Sequence, residues 1–375
     1  MIRLSKSSIS EKEKSRVTKV LDKEYLGMGE EVAKFEENLT SFIGRQVVCV
    51  SSGTSALHLA LQAAGISKGD EVLVPSLTYV ASYQAISATG AVPISCDIQE
   101  NDLTICIEDC IKRITKRTKA IMPVFYSGGT GNIEKLYKFA KKFNLRVIED
   151  AAHAFGTTVD SKLIGSFGDI SCFSFDGIKN ITSGEGGAIV TDDQKVLSLV
   201  KDARLLGVIK DSNKRNLNQR SWDFEVKHQG WRYHMSNVMA AIGIEQLKRF
   251  PEMSKKRKEI ASLYQKKLKN SPLIKTLDLN YDFVVPHIFP IIIPKMIKRD
   301  NLREEMLNEE IETGIHWKPN HCLEKYSSSN ELPLKVTEKL FPNILTLPLH
   351  ADLTIKELDK VCHTLISKLE TNEFF

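Results

Sequence analysis

The sequence predicts an α/β fold, with a large, mostly parallel sheet flanked by helices and a smaller C-terminal α/β layer. Three observations carry this. From Gln46 onward, short β-rich runs alternate with helical segments, the pattern of right-handed βαβ units. Residue types that carry chemistry cluster just past the ends of those runs, where parallel sheets bind their ligands. The composition is ordinary for a globular chain, 42% hydrophobic and 26% charged over 375 residues, which excludes disordered, collagen-like and coiled-coil classes.

Before Gln46 the pattern is helical. Ser8 to Asp22 carries Val17 and Val20 at helical spacing among charges, and Glu30 to Ile43 places Val32, Phe35, Leu39 and Phe42 on one face. Gly27 and Gly29 separate the two. Strands are then expected over 46–51, 71–75, 91–97, 120–125, 145–150, 169–175 and 188–191. Helices are expected between them over 54–64, 79–89 and 133–143. Asn237 to Arg249 reads as a strong helix that Pro251 breaks, with a second, basic helix over 253–269. A buried strand over 284–294 and helices over 299–309 and 355–369 complete the chain. The division falls near Pro251, giving a large domain of 1–250, with the helical segment 1–45, and a small domain of 251–375.

A net charge of +5 is mild, and no dense Lys/Arg tract demands nucleic acid. The seven cysteines form no CxxC pair, so no structural zinc site, and no metal, is expected. They sit mainly in apolar runs, as small core residues of a reducing compartment do. The polar N-terminus has no signal-peptide character, and no apolar run reaches membrane-spanning length. A cytoplasmic protein is expected.

Four stretches carry candidate chemistry. In Ser171 to Thr191 (SCFSFDGIKNITSGEGGAIVT), Lys179 follows a strand and precedes a glycine-rich turn. A lysine there forms a Schiff base if burial or a cationic neighbour lowers its pKa. An exposed surface lysine is the ordinary alternative. The spacing matches neither nucleotide-binding glycine motif. In VIEDAAHAFG, Asp150 ends a strand, and a carboxylate there can pair with a protonated pyridine nitrogen. It serves equally as a helix N-cap. His153 lies one helical turn on. In SSGTSAL, Gly53 and Thr54 open a helix whose free N–H groups suit an anion, as many βα loops do. In PSLTYVA, Tyr79 sits where its ring can lie on a flat cofactor or simply pack in the core.

Taken together, in this order, these stretches resemble the DegT/DnrJ/StrS-type sugar-nucleotide aminotransferases. The signature S-F-x-x-x-K-x-x-T-x-G-E-G-G is met by Ser174, Phe175, Lys179, Thr182, Gly184, Glu185, Gly186 and Gly187. The resemblance runs from Tyr25-Leu-Gly-Met-Gly29 to Leu347-Pro-Leu-His350. It implies the fold type I of pyridoxal-phosphate (PLP) enzymes, with a seven-stranded-type sheet. It makes Lys179 the Schiff-base lysine and proton shuttle, and Asp150 the partner of the pyridine nitrogen. His153 then lies near the ring's phenolic oxygen, Tyr79 stacks on the ring, and Gly53, Thr54 and Ser174 hold the phosphate. It further implies a homodimer in which Gly230 to His234 reaches the partner's phosphate, with His234 as the contact. His316, Trp317 and His321, in the segment GIHWKPNH, fall near the rim. Phe125, where many members carry histidine, is expected to alter the substrate pocket.

The implied activity moves an amino group from an amino acid, L-glutamate, onto a nucleotide-linked keto sugar, with pyridoxamine phosphate as the intermediate form. A dTDP-, UDP- or GDP-4-keto-6-deoxyhexose for O-antigen or lipopolysaccharide synthesis leads; a 3-keto sugar is the alternative. A sugar dehydratase of the same family has histidine at position 179, which is lysine here. A non-catalytic sensor has no need of the Lys179, Asp150 and Ser174 set. The only stretch suited to DNA, 255–269, reads as a solvated amphipathic helix.

Overall fold

The structure, a computed structural model, describes every residue except 221, 330, 331, 374 and 375. Helix α1 (Glu11–Asp22) starts on a capping box in which the Ser10 side chain and Glu13 cap each other. Helix α2 (Glu30–Ile43) buries Val32, Phe35, Leu39 and Ile43, the face its spacing predicts, while Phe42 is only partly buried against the same core. The alternating region follows: β1 (Val47–Val50), α3 (Gly53–Ala63), β2 (Glu71–Pro75), α4 (Val80–Ala88), β3 (Val92–Cys96), α5 (Ile107–Arg113), β4 (Thr118–Ile121), α6 (Ile133–Lys142) and β5 (Arg146–Asp150). A short hairpin, β6 (Thr158–Val159) and β7 (Lys162–Leu163), precedes β8 (Ile170–Ser174) and β9 (Gly187–Val190). Helices α7 (Gln194–Ala203) and α8 (Asp211–Arg215) lead to the long α9 (Asn237–Leu268). The C-terminal part holds β10 (Lys275–Thr276), β11 (Phe289–Ile292), α10 (Arg299–Asn308), α11 (Lys335–Leu340), β12 (Ile344–Leu347) and α12 (Ile355–Glu373).

Seven strands form one sheet in the order β1-β9-β8-β5-β4-β2-β3. Only β9 runs against the rest: β1 and β8 pair with it antiparallel, and the other pairs are parallel. Strands β1, β2, β8 and β9 are buried along their whole length, as near-continuous apolar runs between two helical layers should be. The three-stranded sheet β10-β11-β12 has its own core, built from Tyr264, Phe289, Leu345 and Leu365 among others. Because β1, β2, β5 and β8 run the same way, the loops after them leave one edge. Those loops are the four candidate stretches.

The structure corrects the break expected at Pro251. Helix α9 continues through it. Proline removes one helical hydrogen bond, at a cost of about 3 kcal/mol or more. The helix nevertheless buries Ala240, Ala241, Ile244 and Leu247 on one side of the proline and Ile260, Ala261, Tyr264 and Leu268 on the other. At about 1.5–3 kcal/mol for each large apolar side chain, that packing outweighs the lost bond. The strand expected over 284–294 is also shorter, confined to Phe289–Ile292. Residues 284–287 form an irregular connection, Val284 and Val285 by an N–H bond each to Asn280 O and Thr157 Oγ1.

Candidate active site

A cavity of about 400 Å³ opens at the carboxyl edge of the large sheet, and Lys179 stands in its wall. Lys179 lies in the turn after β8, and burial, the largest cause, lowers its pKa from 10.5 to about 8. Arg257 acts in the same direction, and Asp176 and Asp150 oppose it. A substantial fraction of such amines is neutral near physiological pH, as a nucleophile requires.

Asp150 ends β5 beside it. Its carboxylate accepts a hydrogen bond from Ser82 Oγ at 2.7 Å and one from the Ala152 N–H at 3.3 Å. Burial still raises its pKa, and no cation bonds it directly among the described residues. A buried carboxylate in this condition is suited to a cationic N–H donor. His153 is buried on the same wall, and its Nδ1 accepts the N–H of Ser127 at 3.3 Å, which leaves the proton on Nε2. Burial holds its pKa well below the usual range, so the ring is neutral.

The other end of the cavity is an anion cradle. Ser52 caps α3 by accepting the Ser55 N–H, and Gly53 and Thr54 are the first helical residues. Their N–H groups precede the first intrahelical bond and point out of the helix end. A Cβ on Gly53 would stand 2.8 Å from Ser174 Cβ and 3.1 Å from Ser174 Oγ, so glycine is what lets this turn and the end of β8 close together. Tyr79, at the start of α4, is half-exposed on the rim with its ring centroid 5.6 Å from that of Trp317.

Lys179, Asp150, Gly53, Thr54, Tyr79, His153, Ser174, His316 and Trp317 therefore converge on one cavity. Two expected residues do not. His321 is tied by Nδ1 to Ser76 Oγ at 2.6 Å and stands 3.6 Å from Glu338, off the cavity wall. Phe125 is buried and lines a second cavity, of about 280 Å³, rather than the one around Lys179. His234, expected at the partner's phosphate and not in its own chain's cavity, lies in a separate cavity of about 120 Å³ with Arg215 and Arg232. Burial and those arginines lower its pKa to about 4, so it offers a neutral ring, while the neighbouring Arg232 is exposed.

Two residues of the site escaped the sequence reading. Ser82 supports Asp150 from the first turn of α4, and nothing in its local pattern marks it. His287 lines the cavity with Nε2 3.4 Å from Lys179 Nζ. Its signal was a lone histidine inside the apolar run 284–294.

The residues present fit PLP: an amine of lowered pKa, a buried carboxylate without a cation, and a helix end narrowed by glycine for a phosphate. Fold and site define a PLP-dependent transferase of fold type I. The comparisons with known proteins agree. The model of the DegT/DnrJ/EryC1/StrS aminotransferase family matches residues 7–366. The chain is 35% identical to GDP-perosamine synthase of Escherichia coli O157:H7, covering 98% of this chain and 97% of that one. Among solved structures it is similar to Helicobacter pylori PseC, an aminotransferase of pseudoaminic acid biosynthesis, at a TM-score of 0.91 and 29% identity over 99% of each chain. It is also similar to the PLP form of the putative sugar aminotransferase Spr1654 of Streptococcus pneumoniae, at a TM-score of 0.90 and 27% identity over 99% of each. The chain belongs to the DegT/DnrJ/EryC1/StrS aminotransferase family and is a PLP-dependent sugar aminotransferase.

Proposed function

We propose that this enzyme moves the amino group of L-glutamate to a 4-keto-6-deoxyhexose carried on dTDP, UDP or GDP, for the amino sugars of a surface polysaccharide such as O-antigen. The observation that carries the reaction type is the amine of Lys179, partly buried in the cavity wall with its pKa lowered to about 8 and with Asp150 beside it.

PLP, when bound, supplies an aldehyde that takes up the amino group and a ring that accepts the electron pair left on carbon. The remaining work belongs to this chain. Gly53 and Thr54, at the α3 N-terminus, and Ser174 Oγ bind the phosphate. Asp150, fixed by Ser82, keeps the ring nitrogen protonated. His153 donates from Nε2 toward the ring's phenolic oxygen, and Tyr79 covers the ring face. Lys179 Nζ takes the proton from the donor's α-carbon, and in the second half it delivers a proton to the sugar carbon that gains the amine. One amine serves both directions because its lowered pKa lets it hold or release a proton near neutrality.

The functional unit in this proposal is a homodimer. Among the described residues, the charged side chains lining the cavity are Asp150, Asp176, Lys179 and Glu185, a single cation among carboxylates. Cofactor, donor and sugar nucleotide are all anions, so the compensating charge comes from outside. The segment around Arg215 and Arg232 is basic, and Leu206, Leu217, Trp222, Phe224 and Val226 beside it are exposed, Trp222 by 85%. A patch of that kind marks an interface. In the same proposal α9 joins a large domain, 1–250, to a small one, 251–375.

The test is an amino-transfer assay with glutamate and a panel of keto sugar nucleotides, with Lys179→Ala as control. Product with a 4-keto-6-deoxyhexose nucleotide, and none from the variant, is expected. Turnover by Lys179→Ala at the wild-type rate refutes the assignment.

A further inference from the structure

We propose that His287 is a positioning residue for Lys179: its Nε2 holds the ε-amine by a hydrogen bond and turns the amine's lone pair toward the cavity. The inference rests on the reading of Lys179 as the proton-carrying amine.

Among the described residues, His287 is the side chain that hydrogen-bonds Lys179 Nζ, at 3.4 Å. The other two histidines of the wall are engaged elsewhere. His153 Nδ1 takes the Ser127 N–H, and His316 Nδ1 pairs with Thr346 Oγ1 at 2.9 Å. His287 packs on His153, with ring centroids 4.4 Å apart, and Arg257 donates from below to its backbone carbonyl at 3.3 Å. The ring is therefore packed on one face and its main chain is anchored, and its Nδ1 is buried without a hydrogen-bond partner among the described residues.

That arrangement has a consequence for protonation. An ammonium only donates, so when Lys179 carries a proton, Nε2 must accept and the imidazole proton sits on Nδ1. A neutral amine still has two N–H groups, so it goes on donating one to Nε2 and its lone pair faces the cavity. Both states of Lys179 are thus held by one tautomer of a neutral His287, the one with its proton on Nδ1. Burial, Lys179, His153, Arg257 and His316 all hold His287 well below the usual histidine range, so it shares the proton without removing it. Asp150, Asp176 and Glu185 are the carboxylates lining this space; Asp176 and Asp150 favour the ammonium. With one N–H tied to the wall, the amine is fixed in direction while it moves a proton. Proton transfer needs that alignment more than it needs another base.

The experiment uses protein stripped of PLP. Trace acetylation of Lys179 by acetic anhydride, read by peptide mass across neutral to alkaline pH, gives the midpoint of its titration. Wild type is compared with H287Q, which keeps an acceptor, and H287L, which does not. Separately, PLP and borohydride show whether Lys179 forms the reduced adduct. We expect the midpoint to fall by about one pH unit in H287L, the loss of one hydrogen bond to a charged group, and to stay near wild type in H287Q. Equal midpoints in all three, or a shift in H287Q as large as in H287L, overturn the proposal. No adduct on wild-type Lys179 overturns the underlying reading and the proposal with it. If H287L does not fold, ¹⁵N-histidine spectra of wild type decide. His287 must keep its proton on Nδ1 as pH crosses the Lys179 midpoint, and a proton on Nε2 on either side of it refutes the role.

Discussion

Gly53 and Ser174 approach so closely that a single methyl group between them would overlap: a Cβ on Gly53 would lie 2.8 Å from Ser174 Cβ. The contact joins the N-terminus of α3 to the end of β8. Gly53→Ala forces these two elements apart at the place where the phosphate is to bind. Overpacking of this kind costs about 1–3 kcal/mol of stability. Displaced N–H donors should also weaken PLP binding by about tenfold or more. Absorbance titration with PLP and urea unfolding measure the two effects. Unchanged affinity would show that the cradle is not the phosphate site.

Asp150→Asn should move stability and activity in opposite directions. Burial raises the Asp150 pKa, so the ionised native form is disfavoured above the carboxylate's ordinary range. A neutral amide removes that burden, and the cofactor-free variant should unfold at higher denaturant, by about 1 kcal/mol at neutral pH. Turnover should fall by at least about a hundredfold, because the ring loses its charged partner. Urea unfolding of the apoprotein and an amino-transfer assay test both halves, and a destabilised, fully active variant contradicts the account.

Glu149 gives a pH dependence that belongs to the scaffold. It precedes Asp150 in β5 and is fully buried, accepting hydrogen bonds from Tyr137 and Ser171. Burial is the largest cause of a rise in its pKa from 4.5 to about 7. The native state therefore binds a proton more tightly than the unfolded chain. Its contribution to stability is full below pH 4.5 and is lost as pH rises through about 7. Glu149→Gln should flatten that slope, and its advantage over wild type should grow from the acid side of this window to the alkaline side. A constant difference across the window removes Glu149 as the cause.

How much of this was legible depended on how local each signal is. The βα alternation, the Lys179 turn and the Asp150 strand end are each written in fewer than about fifteen contiguous residues, within reach of pattern reading. Continuity of α9 was not. Pro251 is a local stop signal, and what overrides it is burial of Ile244 against one core and of Tyr264 against another. His287 was missed because its role exists only where the connection after Val284 meets the turn after β8. His321 and Phe125 were expected at the pocket by their place in a motif. Ser76 and the core hold them away instead.

The proposed dimer makes the last prediction. If Arg232 of one chain completes the site that Lys179 of another begins, neither Lys179→Ala nor Arg232→Ala should be active alone at the wild-type level. Arg232 is exposed, so its loss should leave folding intact to within about 0.5 kcal/mol. Mixing the two variants, after unfolding and refolding together, produces chains that pair at random. Half of the dimers then carry one intact Lys179 opposite one intact Arg232. Activity should recover to about a quarter of wild type, since each such dimer has one complete site of two. Trp222→Glu, at a side chain 85% exposed in the single chain, should prevent this recovery by weakening association, visible as a smaller species in light scattering. No recovery on mixing, with both variants shown to be dimers, would mean that each chain builds its site alone and that the anionic substrates are held by groups of the same subunit.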